Sequence, residues 1–256
     1  MKTTAALSSL AALASLAAAF PTAGTNWETY TNDLGYTTTR FKPGMEPGSL
    51  DYDYRFGSSN ATTDLASIAK RQESRSTQPL VGETAIPYGC RTDIPGDILS
   101  KLSEICGDLG CDSGASTSVE VTYPDNGMEQ PATVSISAEG RWPSGMQEAM
   151  IEAVKAEAIP EAVEIEEVVS IFTQNSPHNP GREYRCDVSK SSNFFSVVVR
   201  NNDDDGMVGQ LDVSVSFTQS KDSVICGTIG EAGAAIVGAI NGIAGGFFGV
   251  VQALVC

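Results

Sequence analysis

Histidine is all but missing from this chain of 256 residues: the only one is His178, in the sequence SPHNPG. A zinc cage or a nucleophile–imidazole pair would have to be built on that single ring, so metal binding and Ser-His or Cys-His catalysis are not expected. Cations are also scarce, with 16 Lys and Arg against 32 Asp and Glu. Six residues of each sign precede Gln72, so the whole net charge of −16 falls on residues 72–256. A surface that acidic repels nucleic acid and anionic lipid headgroups, which excludes recognition of either by a basic patch. No Cys-x-x-Cys occurs, and no cysteine at all precedes Cys90. The glycines of Gly227 to Gly233 lack the lysine of a P-loop, so no phosphate cradle and no cofactor are expected.

What is present first is a leader. Residues 1–19 combine Lys2, an apolar stretch and a small-residue exit at Ala17 to Ala19, the pattern of a secretory signal peptide cut near Ala19 or Phe20. Residues 20–71 are polar and turn-rich without a sustained period, so they are expected to be a largely disordered propeptide with no core of its own. Lys70-Arg71 is the only dibasic pair and stands where cysteine-free sequence gives way to cysteine-bearing sequence. It is similar to the sites cut by kexin-type proteases, which would leave a mature chain beginning at Gln72. The sole N-glycosylation sequon, at Asn60, would go with the discarded part.

The mature region holds Cys90, Cys106, Cys111, Cys186, Cys226 and Cys256. An even set in an oxidising compartment implies three disulfides, with 15 connectivities open. Gln72 to Ile86 reads as a flexible arm. A helix is expected from Asp93, carried by Ile98, Leu102, Ile105 and Leu109, with Cys106 and Cys111 tying down its end. Alternating strands are expected at 118–123 and 132–138 around the turn PDNG, and at 163–173, 194–200 and 210–218. Between them, Ser144 to Ala158 is a helix with a capping box at Ser144 and Gln147, an inner face of Met146, Met150, Ala153, Val154 and Ala158, and a stop at Pro160. The order predicts an α+β fold, an antiparallel sheet with helices packed on one face.

The tail 227–256 is the oddest segment, because residues 234–255 run without a formal charge. As one helix of about 1.5 Å rise per residue it would cover roughly 30 Å, enough to cross a bilayer. Gly238, Gly242 and Gly246 recur at four-residue spacing, with Gly245 and Gly249 making a second such pair, and read as a glycine zipper for close helix packing. Three uses are open: a tail that enters a membrane, a core helix of a soluble domain, or a GPI or membrane anchor signal. The stretch Lys221 to Glu231 is a poor spacer for an anchor signal. If Cys226 and Cys256 pair, the tail is instead a hairpin turning at Asn241-Gly242 or Gly245-Gly246.

No constellation argues for an enzyme. Glu161, Glu164, Glu166 and Glu167 read as solvated charges on a strand, with Glu164 and Glu166 opposite Val163 and Ile165. Asp203 to Asp205 lack the alternation of a calcium loop and read as a polar hairpin tip. Trp142-Pro143 reads as a wedge before the helix. The signal peptide, cysteine-free leader, Lys70-Arg71 site and six later cysteines together resemble the preprotoxins of fungal killer toxins and the similarly processed effectors of filamentous fungi. That resemblance covers the organisation of the whole chain. It implies an extracellular, non-enzymatic protein that acts on a target-cell membrane or a host protein, with a kexin-type protease as processing partner.

Overall fold

The computed structural model describes residues 25–50, 52–53, 75–90, 95–173, 181–203, 205–218, 223–224, 226–243 and 250–251. Antiparallel sheet dominates, with a few helices on one side. A seven-stranded sheet has the order β13-β3-β10-β11-β7-β6-β5, and every neighbour pair is antiparallel except β13 with β3. Its strands are β3 (Arg75–Val81), β5 (Cys106–Gly107), β6 (Gly110–Asp125), β7 (Met128–Arg141), β10 (Phe194–Asn201), β11 (Met207–Phe217) and β13 (Val250–Val251). A second sheet, β12-β4-β9-β8, comprises β4 (Thr84–Pro87), β8 (Glu164–Phe172), β9 (Arg182–Ser192) and β12 (Ser223–Val224). The hairpin of β6 and β7 turns at Asn126-Gly127, both in the left-handed region, as PDNG led one to expect. Gly127 is required twice over, since a Cβ there would lie 2.4 Å from the carbonyl oxygen of Arg182 on the second sheet.

The helices are α1 (Pro95–Leu99), α2 (Leu102–Ile105), α3 (Gln147–Glu157) and α4 (Cys226–Asn241). The inner face expected of α3 is confirmed: Met146, Met150, Ala153, Val154 and Ala158 are all buried against the sheet. Its start differs. Ser144 gives its hydroxyl to Asp108, whose carboxylate also accepts the Gly145 amide at 2.9 Å, so no capping box forms and the helix opens at Gln147. The single helix expected through Leu109 is two short ones, because the chain turns at Cys106 into β5, where a disulfide to Cys111 closes the β5–β6 hairpin.

Three further expectations are corrected. The arm 72–86 carries β3 and most of β4. Among the described residues β13 reaches only Ser76 and Thr77, so Pro79 has a described neighbour strand on one side only, the place a proline fits in a sheet. On β8 Glu166 and Glu167 are solvated as expected, Glu166 pairing with Lys190, but Ile165, Val169 and Ile171 also point outward, and Glu164 is half-buried, where it accepts the Thr228 hydroxyl at 2.6 Å. The tail is not one helix. α4 closes at Asn241, where the Gly242 amide is shared between the carbonyls of Gly238 and Ala239, and residues 250–251 are strand.

Of the expected glycine zipper, Gly238 and Gly242 are described, and neither is pressed against another helix among the described residues. Ile229, Ala232, Ile236 and Ile240 carry α4 into the core. Gly238 has open space where a Cβ would be, and Gly242 would meet only its own helix's carbonyls. Gly246 and Gly249 lie outside the described residues. Among the described residues no helix is long and apolar enough to cross a membrane.

Candidate functional site

The part of the chain that was expected to lack structure holds a folded element. Residues 25–50 form the hairpin β1 (Trp27–Thr31) and β2 (Thr37–Phe41) and the turns that follow it, and Tyr52 lies beyond them. It has no core of its own. It lies on the face of β10 and β11 opposite the helices, and alternation explains how both faces are used: Phe195, Val197 and Val199 point to the helices, whereas Phe194, Ser196 and Val198 meet the hairpin.

The seam is mostly polar and closely fitted. Asn26 clasps the backbone of Met207 with both ends of its amide, donating at 2.9 Å and accepting at 2.7 Å. The Trp27 indole donates to the Asp205 carbonyl at 2.8 Å and lies 4.1 Å beneath the Arg200 guanidinium. Thus Asp205, in the expected polar tip, is held by the hairpin. Tyr36 stacks on Phe194, and its hydroxyl donates to Asn193 at 2.9 Å. Gly82 must be glycine for this, since a Cβ there would come 2.6 Å from the Tyr36 ring. Phe41 and Tyr52 fill a small apolar cluster with Val198 and Met207.

At the centre stands Asp212, buried beneath the hairpin. It accepts the Tyr30 hydroxyl at 2.7 Å and the Ser196 hydroxyl at 2.5 Å, with Thr38 at 3.4 Å. Burial pushes its carboxyl up to about 6, and these hydrogen bonds hold it from rising further. The Tyr30 phenol is likewise raised, by burial and by the Asp212 charge. No ion pair to Asp212 occurs among the described residues. Sequence reading misses this site because a lone carboxylate on the polar side of an alternating strand reads as solvated.

A second feature lies on the other sheet. β8 is the last strand of its sheet among the described residues, and Ile165, Val169 and Ile171 are 58%, 42% and 61% exposed along its outer face. An unpaired edge carrying apolar side chains is a template for another chain. Arg185 crosses the face to pair with Glu167 and Glu183, giving the apolar stripe a charged border.

The remaining expected residues are placed as follows. Cys90 bonds Cys186, and Cys106 bonds Cys111. The Cys226 side chain, Cys256, Lys70, Arg71, Asn60 and His178 lie outside the described residues. Trp142 is wholly buried, a packing residue. Among the described residues no cluster of His, Cys, Asp or Glu could hold a metal ion. The buried carboxyl of Glu157, at the end of α3, is raised well above the usual carboxylate range by desolvation. It lies on the helix side of the sheet, apart from the hairpin. No family model matches this chain, and neither characterised proteins nor solved structures give a match.

Proposed function

We propose that the chain is a secreted, non-enzymatic fungal-type effector or toxin, freed from its precursor after Lys70-Arg71, that binds a protein on another cell through the open edge of β8. The observation that carries the binding reading is the outward-facing row of Ile165, Val169 and Ile171 on an edge strand, which costs solubility unless a partner uses it. Disulfides within the mature region support an oxidising, extracellular destination.

Of the uses open to the tail, the core helix is favoured over membrane insertion. The apolar residues of α4 already pack against α3 and the turn Pro160–Ala162, and insertion would have to strip them from the core. The pairing of β13 with β3 argues against removal of the tail as an anchor signal, because removal would take a strand with it.

Mass and N-terminal analysis of culture fluid tests the processing: a product beginning at Gln72 is expected, and one beginning near Phe20 rejects it. Replacing Ile165 and Ile171 by lysine tests the edge. Binding to a panel of fungal and plant cells should fall while the melting temperature holds, and undiminished binding rejects β8 as the contact. Dye release from liposomes should be absent, and release would restore the membrane reading.

A further inference from the structure

We propose that the β10–β11 face is a binding surface for the chain's own excised N-terminal segment, which stays seated as a separate, non-covalent chain after cleavage and is gripped more tightly in acid than at neutral pH. This rests on the processing reading above.

The contacts are those of an interface and not of a tether. Asn26, Trp27, Tyr30, Tyr36, Thr38 and Tyr52 each hydrogen-bond β10, β11 or an adjoining loop, and Phe41 and Tyr52 are buried. Both described disulfides lie wholly within residues 72–256, so neither ties the hairpin down. Cutting at Lys70-Arg71 therefore leaves the seam intact while removing the covalent link.

The proton dependence comes from Asp212. While the hairpin is seated, its carboxyl is buried and keeps its proton to about pH 6; with the hairpin gone it faces water and returns toward the ordinary value of 3.8. Seating thus takes up a proton between those limits. The grip is strongest below the ordinary carboxyl range, weakens as pH rises toward 6 and levels off above it. The charged and titratable groups around Asp212 leave this sign unchanged. Tyr30 of β1 stays a neutral donor, and Arg40 of β2 is engaged with the Tyr30 ring and Glu28. Glu139 of β7 is paired in register beside Asp212, and its carboxylate raises the Tyr30 phenol further, keeping it a neutral donor. Glu157 of α3 acts through the sheet and is covered by the helices whether or not the hairpin is seated.

The test uses the full secreted chain with residues 62–71 replaced by the recognition sequence of a site-specific viral protease. The cut protein is sized, and the fragment titrated back, at about pH 5 and about pH 7.5, with co-elution and a Kd about tenfold weaker at the higher pH expected. Asp212→Asn should bind equally at both. Tyr30→Phe, which leaves the sheet untouched, should weaken binding at the lower pH by roughly tenfold. A fragment that elutes alone at the lower pH, a Kd indifferent to pH, or a pH dependence that survives Asp212→Asn overturns the proposal. Should that variant fail to fold, carboxyl-carbon NMR of the unsubstituted chain decides: Asp212 must titrate near 6, and an ordinary carboxyl value overturns the mechanism. Because the engineered site replaces the dibasic pair, a failure of kexin-type cleavage rejects the processing reading without touching this result.

Discussion

Glu157 and Asp212, the two buried carboxyls among the described residues, lie on opposite faces of the same strands, β10 and β11. Asp212 is met by Tyr30, Ser196 and Thr38, whereas neither Glu157 oxygen has a well-formed hydrogen bond, and the Ser196 amide relieves it only in part. One carboxyl is paired by the hairpin. The other is a cost carried by the core.

That cost gives the first prediction. Folded Glu157 holds its proton above the range where the unfolded chain releases it, so its stability contribution is greatest in acid and declines as pH rises above the ordinary carboxyl value. Glu157→Leu should stabilise the protein at neutral pH by about 1–3 kcal/mol, with a smaller gain in acid. Thermal melts across pH check it; a loss at neutral pH would show that the carboxyl has a partner.

Gly82 and Tyr36 give the second. Gly82→Ala drives a Cβ into the Tyr36 ring and should loosen the hairpin, and the same substitution in a Tyr36→Ala chain should cost much less. Hydrogen exchange at Thr38 and Thr39 is the readout. Equal costs in both backgrounds would mean that the Phe194 contact at 3.0 Å governs instead.

The third separates the two bridges. Cys90–Cys186 closes 96 residues and Cys106–Cys111 only five. Loop-closure entropy assigns about 4–5 kcal/mol to the first and about 2 kcal/mol to the second. Paired Cys→Ser variants should differ in denaturant midpoint in that order, and the unaltered protein should show no reactive thiol when denatured.

A fourth concerns Gly238, exposed on α4 with open space at its Cβ position. Gly238→Ala should stabilise by roughly 0.5–1 kcal/mol through helix propensity, and Gly238→Leu should be tolerated. A large loss for leucine alone would return the zipper to consideration.

The sequence made some of this legible. α3 was readable because its inner face is apolar at helical spacing, and the β6–β7 turn because Asn-Gly accepts positive φ. β3 was not, since Ser76, Thr77, Gln78 and Pro79 carry no strand pattern and gain their place from pairing with β10 and, at Ser76 and Thr77, with β13. The hairpin was invisible for a related reason. Its inward side chains, Tyr30 and Thr38, are chosen to hydrogen-bond Asp212 and Ser196, so no apolar alternation marks them. On α4 glycine and isoleucine share the helical period, and spacing alone could not say which set faced the core.

The hydroxyl of Tyr30 meets a carboxylate 182 residues further along the chain. A ribosome therefore makes the hairpin first, and its seat last. Pairing across such a span is slow to be found, because closing the loop must precede any reward from the contact. Until β11 has been added between β10 and β7, the strands that the hairpin will cover present Ser196 and Phe194 to water beside an unpaired edge. The N-terminal segment is then a waiting clasp, within reach of that surface as soon as it forms. A chain deprived of it should refold more slowly and aggregate more readily, even where the finished fold is unchanged.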